Sequence, residues 1–91
     1  MSVIYCNINL FDYDQKIYKK ENEKVKEIAK IPMNNLGTFL AKYVNENNIN
    51  EIHLIGYKDY AVNIKNQIIM NSKTKFNNDN LTIYLEEKGE K

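Results

Sequence analysis

The stretch Ile49–Ile69, INEIHLIGYKDYAVNIKNQII, constrains the fold of this chain more than any other. Glu51–Ile55 is a short apolar run closed by Gly56, and Lys58–Asn71 carries Ala61, Ile64 and Ile68 at helical spacing. A strand that turns at a glycine into an amphipathic helix is one half of a parallel α/β unit. The same reading puts Gly56, Lys58 and Asp59 at the carboxyl end of a strand, where such units often carry chemistry.

The flanking sequence supplies the remaining elements. Val3–Phe11 alternates, with Ile4, Cys6, Ile8 and Leu10 on an apolar face and Val3, Tyr5, Asn7, Asn9 and Phe11 on a mixed one. Asp12–Gln15 has turn chemistry, and Lys16–Lys20 returns as a second strand. Asn22, between Glu21 and Glu23, marks a second turn. Lys24–Ile31 fits both a helix and a strand; a strand is preferred because Pro32 ends the run and a third strand completes a meander. Met33–Asn48 is predicted helical from the stripe Met33, Leu36, Leu40, Tyr43, Val44 and Asn47, with Asn34 or Asn35 as cap. Asn71–Asn80 reads as a loop, Leu81–Leu85 as the last strand, and EEKGEK as a charged end that frays. The expectation is a single two-layer α/β domain over residues 1–86 with a charged tail at 87–91. Its order is β-β-β-α-β-α-β, giving a five-stranded mixed sheet of order 3-2-1-4-5 with both helices on one face.

Composition narrows the function classes. A chain of 91 residues builds only a modest core, so association would help it. No apolar run approaches the roughly 18 residues that span a bilayer. The opening MSVIYCNINL lacks the pattern of a signal peptide, and the single cysteine, Cys6, excludes an internal disulfide framework. A cytoplasmic protein without a membrane partner is expected. The net charge of +1 gives no global attraction to nucleic acid, and all 13 basic residues are lysine. Without the planar fork of arginine, a sequence-specific nucleic-acid reader or an arginine-dependent phosphoryl-transfer enzyme is disfavoured. The wealth of Lys, Asn, Ile and Tyr matches A/T-rich codons, hence a low-GC bacterium or one of its phages or plasmids.

The predicted order resembles the core of the ribonuclease H-like fold, shared by nucleases, resolvases and each half of actin-like ATPases. The segments PMNNL, EIHLIG and YAVNI are also similar to short phage and mobile-element proteins of low-GC bacteria. The nuclease resemblance implies carboxylates converging on two divalent metals, the first within the first strand. Asn7 and Asn9 occupy those positions, and Gly56 and Tyr57 stand where the fourth strand would supply another acid. Asp12 and Asp14 read as turn formers. The actin-like resemblance implies glycine-rich phosphate loops, whereas the only glycines are Gly37, Gly56 and Gly89. No catalytic, metal or cofactor residue is therefore assigned, and a non-enzyme is expected.

Other candidates have plain structural readings. His53, the only histidine, lies between Ile52 and Leu54 with no nucleophile in sight, and reads as a sheet-face residue with an ordinary hydrogen bond. Cys6 reads as core packing. Gly56-Tyr57-Lys58-Asp59 at a helix start could hold an anion, but Asp59 would repel it. With both helices on one face, the other sheet face is left open and carries Tyr5, Asn7, Asn9, Phe11, His53, Ile55 and Tyr84. These are the expected interaction residues, for a protein partner or for a second copy in a homodimer. The function expected is a non-catalytic interaction protein of phage or mobile-element type, for example an inhibitor of a host defence complex. The alternative is a lysine/tyrosine nucleic-acid-binding accessory protein of replication or recombination.

Overall fold

The computed structural model describes residues 2–87. Strands β1 (Ser2–Asn7), β2 (Asp14–Glu21) and β3 (Lys24–Pro32) come first; a 3₁₀ turn (Met33–Asn35) and helix α1 (Leu36–Glu46) follow. Strand β4 (Glu51–Gly56), helix α2 (Lys58–Phe76) and strand β5 (Thr82–Glu87) complete the fold. The five strands form one sheet in the order β3-β2-β1-β4-β5. β1, β2 and β3 pair antiparallel, whereas β4 and β5 join in parallel, Tyr5 opposite His53 and His53 opposite Tyr84. This is the architecture predicted from the sequence, including the strand assignment of Lys24–Ile31.

Strand alternation and helix periodicity meet in one core. Ile4, Cys6, Ile8, Ile17, Ile52, Leu54 and Ile83 point from the sheet toward Leu36, Leu40, Ala41 and Val44 of α1 and Ala61, Ile64 and Ile68 of α2. Two glycines mark close approaches. A Cβ on Gly37 of α1 would lie 2.5 Å from the Gln67 Cβ of α2, and one on Gly56 would lie 2.9 Å from both the Cβ and the carbonyl oxygen of Ile8. β2 and β3 turn through Asn22 and Glu23, both with positive φ (52° and 72°), as a two-residue hairpin that follows the sheet twist requires.

Several boundaries differ from expectation. β1 ends at Asn7, so Leu10 leaves the apolar row and is exposed. The chain bends there because Gln15, expected in the turn, is a buried β2 residue that holds the bend from within. Its Oε1 accepts from the Asn9 amide at 2.6 Å, and its Nε2 donates to the carbonyls of Asn9 (2.9 Å) and Asp12 (2.5 Å). Neither Asn34 nor Asn35 caps α1 through its side chain, because the 3₁₀ turn precedes the helix instead.

α2 runs to Phe76, through residues expected to be loop. Ser72 extends the buried stripe of Ala61, Ile64 and Ile68 and meets Asn45 of α1, whose Nδ2 donates to its Oγ at 3.2 Å. Asn77 then stops the helix in the left-handed conformation. Glu86 and Glu87, expected in the frayed end, are paired residues of β5; the rest of the expected tail, residues 88–91, lies outside the described residues.

Candidate functional site

The sheet face away from the helices has no layer of the described residues upon it. Alternation sends Val3, Tyr5 and Asn7 of β1, Glu51, His53 and Ile55 of β4, and Thr82, Tyr84 and Glu86 of β5 to this side. From β2 come Lys16, Tyr18 and Lys20, and from β3 Val25, Glu27 and Lys30. Val25 and Tyr84 are the most exposed of its large hydrophobic groups, at 59% and 48%.

His53 lies on β4, between β1 and β5. Its ring stacks between Tyr5 (centroids 4.7 Å apart, planes 21° apart) and Tyr84 (4.8 Å, 19°). These separations are the spacing of neighbouring strands, so the rings stand on the sheet like plates in a rack. The ring edges carry the polar contacts: Nε2 is 2.7 Å from Glu51 Oε2, and Nδ1 is 2.7 Å from Glu86 Oε2. Only the protonated ring donates at both nitrogens. Burial pulls the His53 pKa down, but the hydrogen bonds to Glu51 and Glu86, with the attraction of both carboxylates, outweigh it and hold it above the ordinary value. The site is thus an imidazole ring between two tyrosine faces and two carboxylates, an arrangement that favours its protonated form.

The expected interaction residues divide between two places. Tyr5, Asn7, His53, Ile55 and Tyr84 share the open face, whereas Asn9 and Phe11 lie beyond the end of β1. Asn9 folds inward on its own loop, its Oδ1 accepting from the Phe11 amide at 3.0 Å and its Nδ2 donating to Asp12 at 3.0 Å. Phe11 is 91% exposed at the tip of that loop. Glu51 and Glu86 escaped the sequence reading, although the alternation around His53 already put Glu51 on its face. Glu86 was hidden by the charged composition of the chain end.

Other candidates carry little chemistry. Cys6 is fully buried and burial pushes its thiol pKa up to about 12, which makes it inert packing. The depression before the start of α2 is lined by Gly56, Lys58, Ala61 and Leu85 together with Glu86 and Glu87, whose charges oppose an anion. Among the described residues no group of three or more His, Cys, Asp or Glu side chains is placed to hold a metal ion. No helix among them is long and apolar enough to cross a membrane.

The chain is thus a two-layer α/β protein whose distinctive surface is a sheet face that none of its described residues cover. No protein-family model matches the chain, and no curated protein matches it significantly. Among solved structures it is similar to the PPX-GPPA enzyme of Aquifex aeolicus, at TM-score 0.42 and 11% identity over 96% of this chain and 36% of that one. A crystal structure of the Aquifex aeolicus member of the Ppx/GppA family gives TM-score 0.42 and 12% identity over 96% of this chain and 35% of that one. The chain spans about a third of the length of these structures.

Proposed function

We propose that this chain is a non-catalytic interaction protein that docks a protein partner on its open sheet face. The observation that supports this most is the Tyr5–His53–Tyr84 rack, a surface of mutually stacked rings with Val25 and Ile55 beside it and no covering layer among the described residues. Aromatic groups already fixed in place lose little entropy on binding, which suits a docking surface. A depression lined by Tyr5, Asn7, Tyr18, Lys20, Val25 and Ile55 adds relief to the face.

The nucleic-acid alternative draws less support from the same geometry. Bases stack on free ring faces, but both faces of His53 and the inner faces of Tyr5 and Tyr84 are consumed in the rack. Glu51 and Glu86 add negative charge at the spot a phosphate backbone would cross. The likeness of PMNNL, EIHLIG and YAVNI to phage and mobile-element proteins motivates a cytoplasmic role in such a context, one form being inhibition of a host defence complex.

Site-directed photo-crosslinking in the native cells tests the docking reading. A photoreactive residue at Ile55 or Val25 should give protein adducts that one at Asn66, on the outer side of α2, does not. Equal yields from both faces would overturn the reading.

A further inference from the structure

The charges of the open face are not scattered. Three rows of side chains cross the sheet from β3 to β5: Val25, Lys20, Val3, Glu51 and Thr82; then Glu27, Tyr18, Tyr5, His53 and Tyr84; then Lys30, Lys16, Asn7, Ile55 and Glu86. All three lysines lie on β2 and β3, and two of the three carboxylates in these rows lie on β4 and β5. The face therefore has a basic half and an acidic half on either side of β1, with the hydroxyls and rings of Tyr5 and Tyr18 near its middle.

Such a pattern is self-complementary under one two-fold axis only. An axis lying between two faces and parallel to β1 turns the second copy over and sets its β4 and β5 against β2 and β3 of the first. An axis across the strands would set lysine strands on lysine strands. Under the first axis the rows stay level. Lys20 then meets Glu51, Lys30 meets Glu86, Tyr18 meets the His53 edge and Tyr5 meets itself. Each pair occurs twice, as an isologous interface demands. Glu51 and Glu86 each meet His53 through one oxygen while their side chains stay 40% and 50% exposed, so the contacts to His53 do not prevent a lysine from reaching them.

The area is sufficient for a dimer at the lower end of stability. Five strands about 4.8 Å apart and six residues of about 3.3 Å each make a face of roughly 500 Å² per copy. Two such faces reach about 1,000 Å², the lower bound for specific association, and sheets pack this way at about 10 Å with their strands nearly aligned.

We infer that the occupant of the open face is a second copy of this chain, in a face-to-face two-fold dimer held by Lys20–Glu51 and Lys30–Glu86 pairs around the Tyr5 centre. This rests on the reading of the face as a protein-docking surface. Sedimentation equilibrium of the full chain tests it. The wild type should dimerise at concentrations on the order of 10–100 μM, as a small wet interface allows. Lys20→Glu and Lys30→Glu should each weaken the dimer by about tenfold or more, because like charges then face each other twice.

The swaps Lys20→Glu with Glu51→Lys, and Lys30→Glu with Glu86→Lys, should restore most of the loss. Lys30 is exposed on the edge strand and makes no side-chain contact with His53, so Lys30→Glu by itself reads the interface with little risk to folding. A chain that stays monomeric to about 1 mM, or a dimer indifferent to all four changes, would overturn the proposal. In that event, crosslinking from Ile55 to a different protein would leave the docking reading standing, whereas no face-specific adduct would remove both.

Discussion

The imidazole Nδ1 of His53 lies 2.7 Å from Oε2 of Glu86, a residue of the neighbouring strand β5. With Glu51 at the same distance from Nε2, each ring nitrogen faces a carboxylate oxygen, which favours the protonated ring. The folded state therefore binds this proton more tightly than the unfolded chain, whose histidine titrates near 6.5. The stabilisation is fully present below about pH 6.5 and is lost as pH rises through the raised folded-state value. His53 is the only histidine, and Cys6 begins to ionise in the unfolded chain only toward about pH 8.5, so denaturation midpoints measured from about pH 6 to 8 report His53, and His53→Phe should flatten the decline there. Glu86→Gln should lower the His53 pKa in an NMR titration; an unchanged value would show that the contact does not hold the proton.

Gln15 predicts a different response. It is a buried polar side chain that satisfies the Asn9 amide and the carbonyls of Asn9 and Asp12, all within the β1–β2 loop. Gln15→Leu keeps the volume but leaves those groups to find water, at about 1–3 kcal/mol. Chemical denaturation should show the loss, and amide exchange at Asn9 should accelerate while that of β4 changes only with global stability.

The fold was legible because its signals are local and repeated. Alternation in Val3–Asn7, the helical stripe Leu36–Leu40–Val44 and the Gly56 turn each fix one element, and their order leaves few ways to connect a sheet. What stayed hidden depends on contacts between distant segments. Nothing local to Gln15 tells that it turns inward, since that follows from the carbonyls of Asn9 and Asp12 closing around it. The acid pair around His53 was half legible: Glu51 shares its strand, but Glu86 meets it only through the β4–β5 register. The end of α2 was missed because Ser72 and Asn78 are polar, yet Ser72 is buried against α1 and Asn78 Nδ2 donates to Asn45 Oδ1 at 2.8 Å.

The hairpin between β2 and β3 should be improvable. Glu23 sits at φ 72°, a left-handed conformation that costs an L-residue with a side chain about 1–2 kcal/mol. Glycine removes that strain and returns part of it as unfolded-state entropy, roughly 0.5–1 kcal/mol. Glu23→Gly should therefore stabilise the protein by about 0.5–1 kcal/mol, seen as a higher denaturation midpoint at unchanged slope. A loss of stability would show that the Glu23 side chain contributes more than its backbone costs.

At Gly56 the same kind of exchange should have the opposite sign. Gly56 does not have a positive φ, and at such a position alanine ordinarily stabilises by about 0.4–1 kcal/mol through the unfolded state. Here the new Cβ would lie 2.9 Å from the Cβ and from the carbonyl oxygen of Ile8, and neither atom is the free end of a side chain. Ile8 cannot retreat cheaply, because its amide donates to the Ile55 carbonyl at 2.7 Å and its side chain is fully buried. Overpacking of this kind costs about 1–3 kcal/mol, which exceeds the entropic gain. Gly56→Ala should thus lower the unfolding free energy and speed exchange of the Ile8 amide. A stabilised variant would mean that β1 and β4 separate more easily at this end than their hydrogen bond implies.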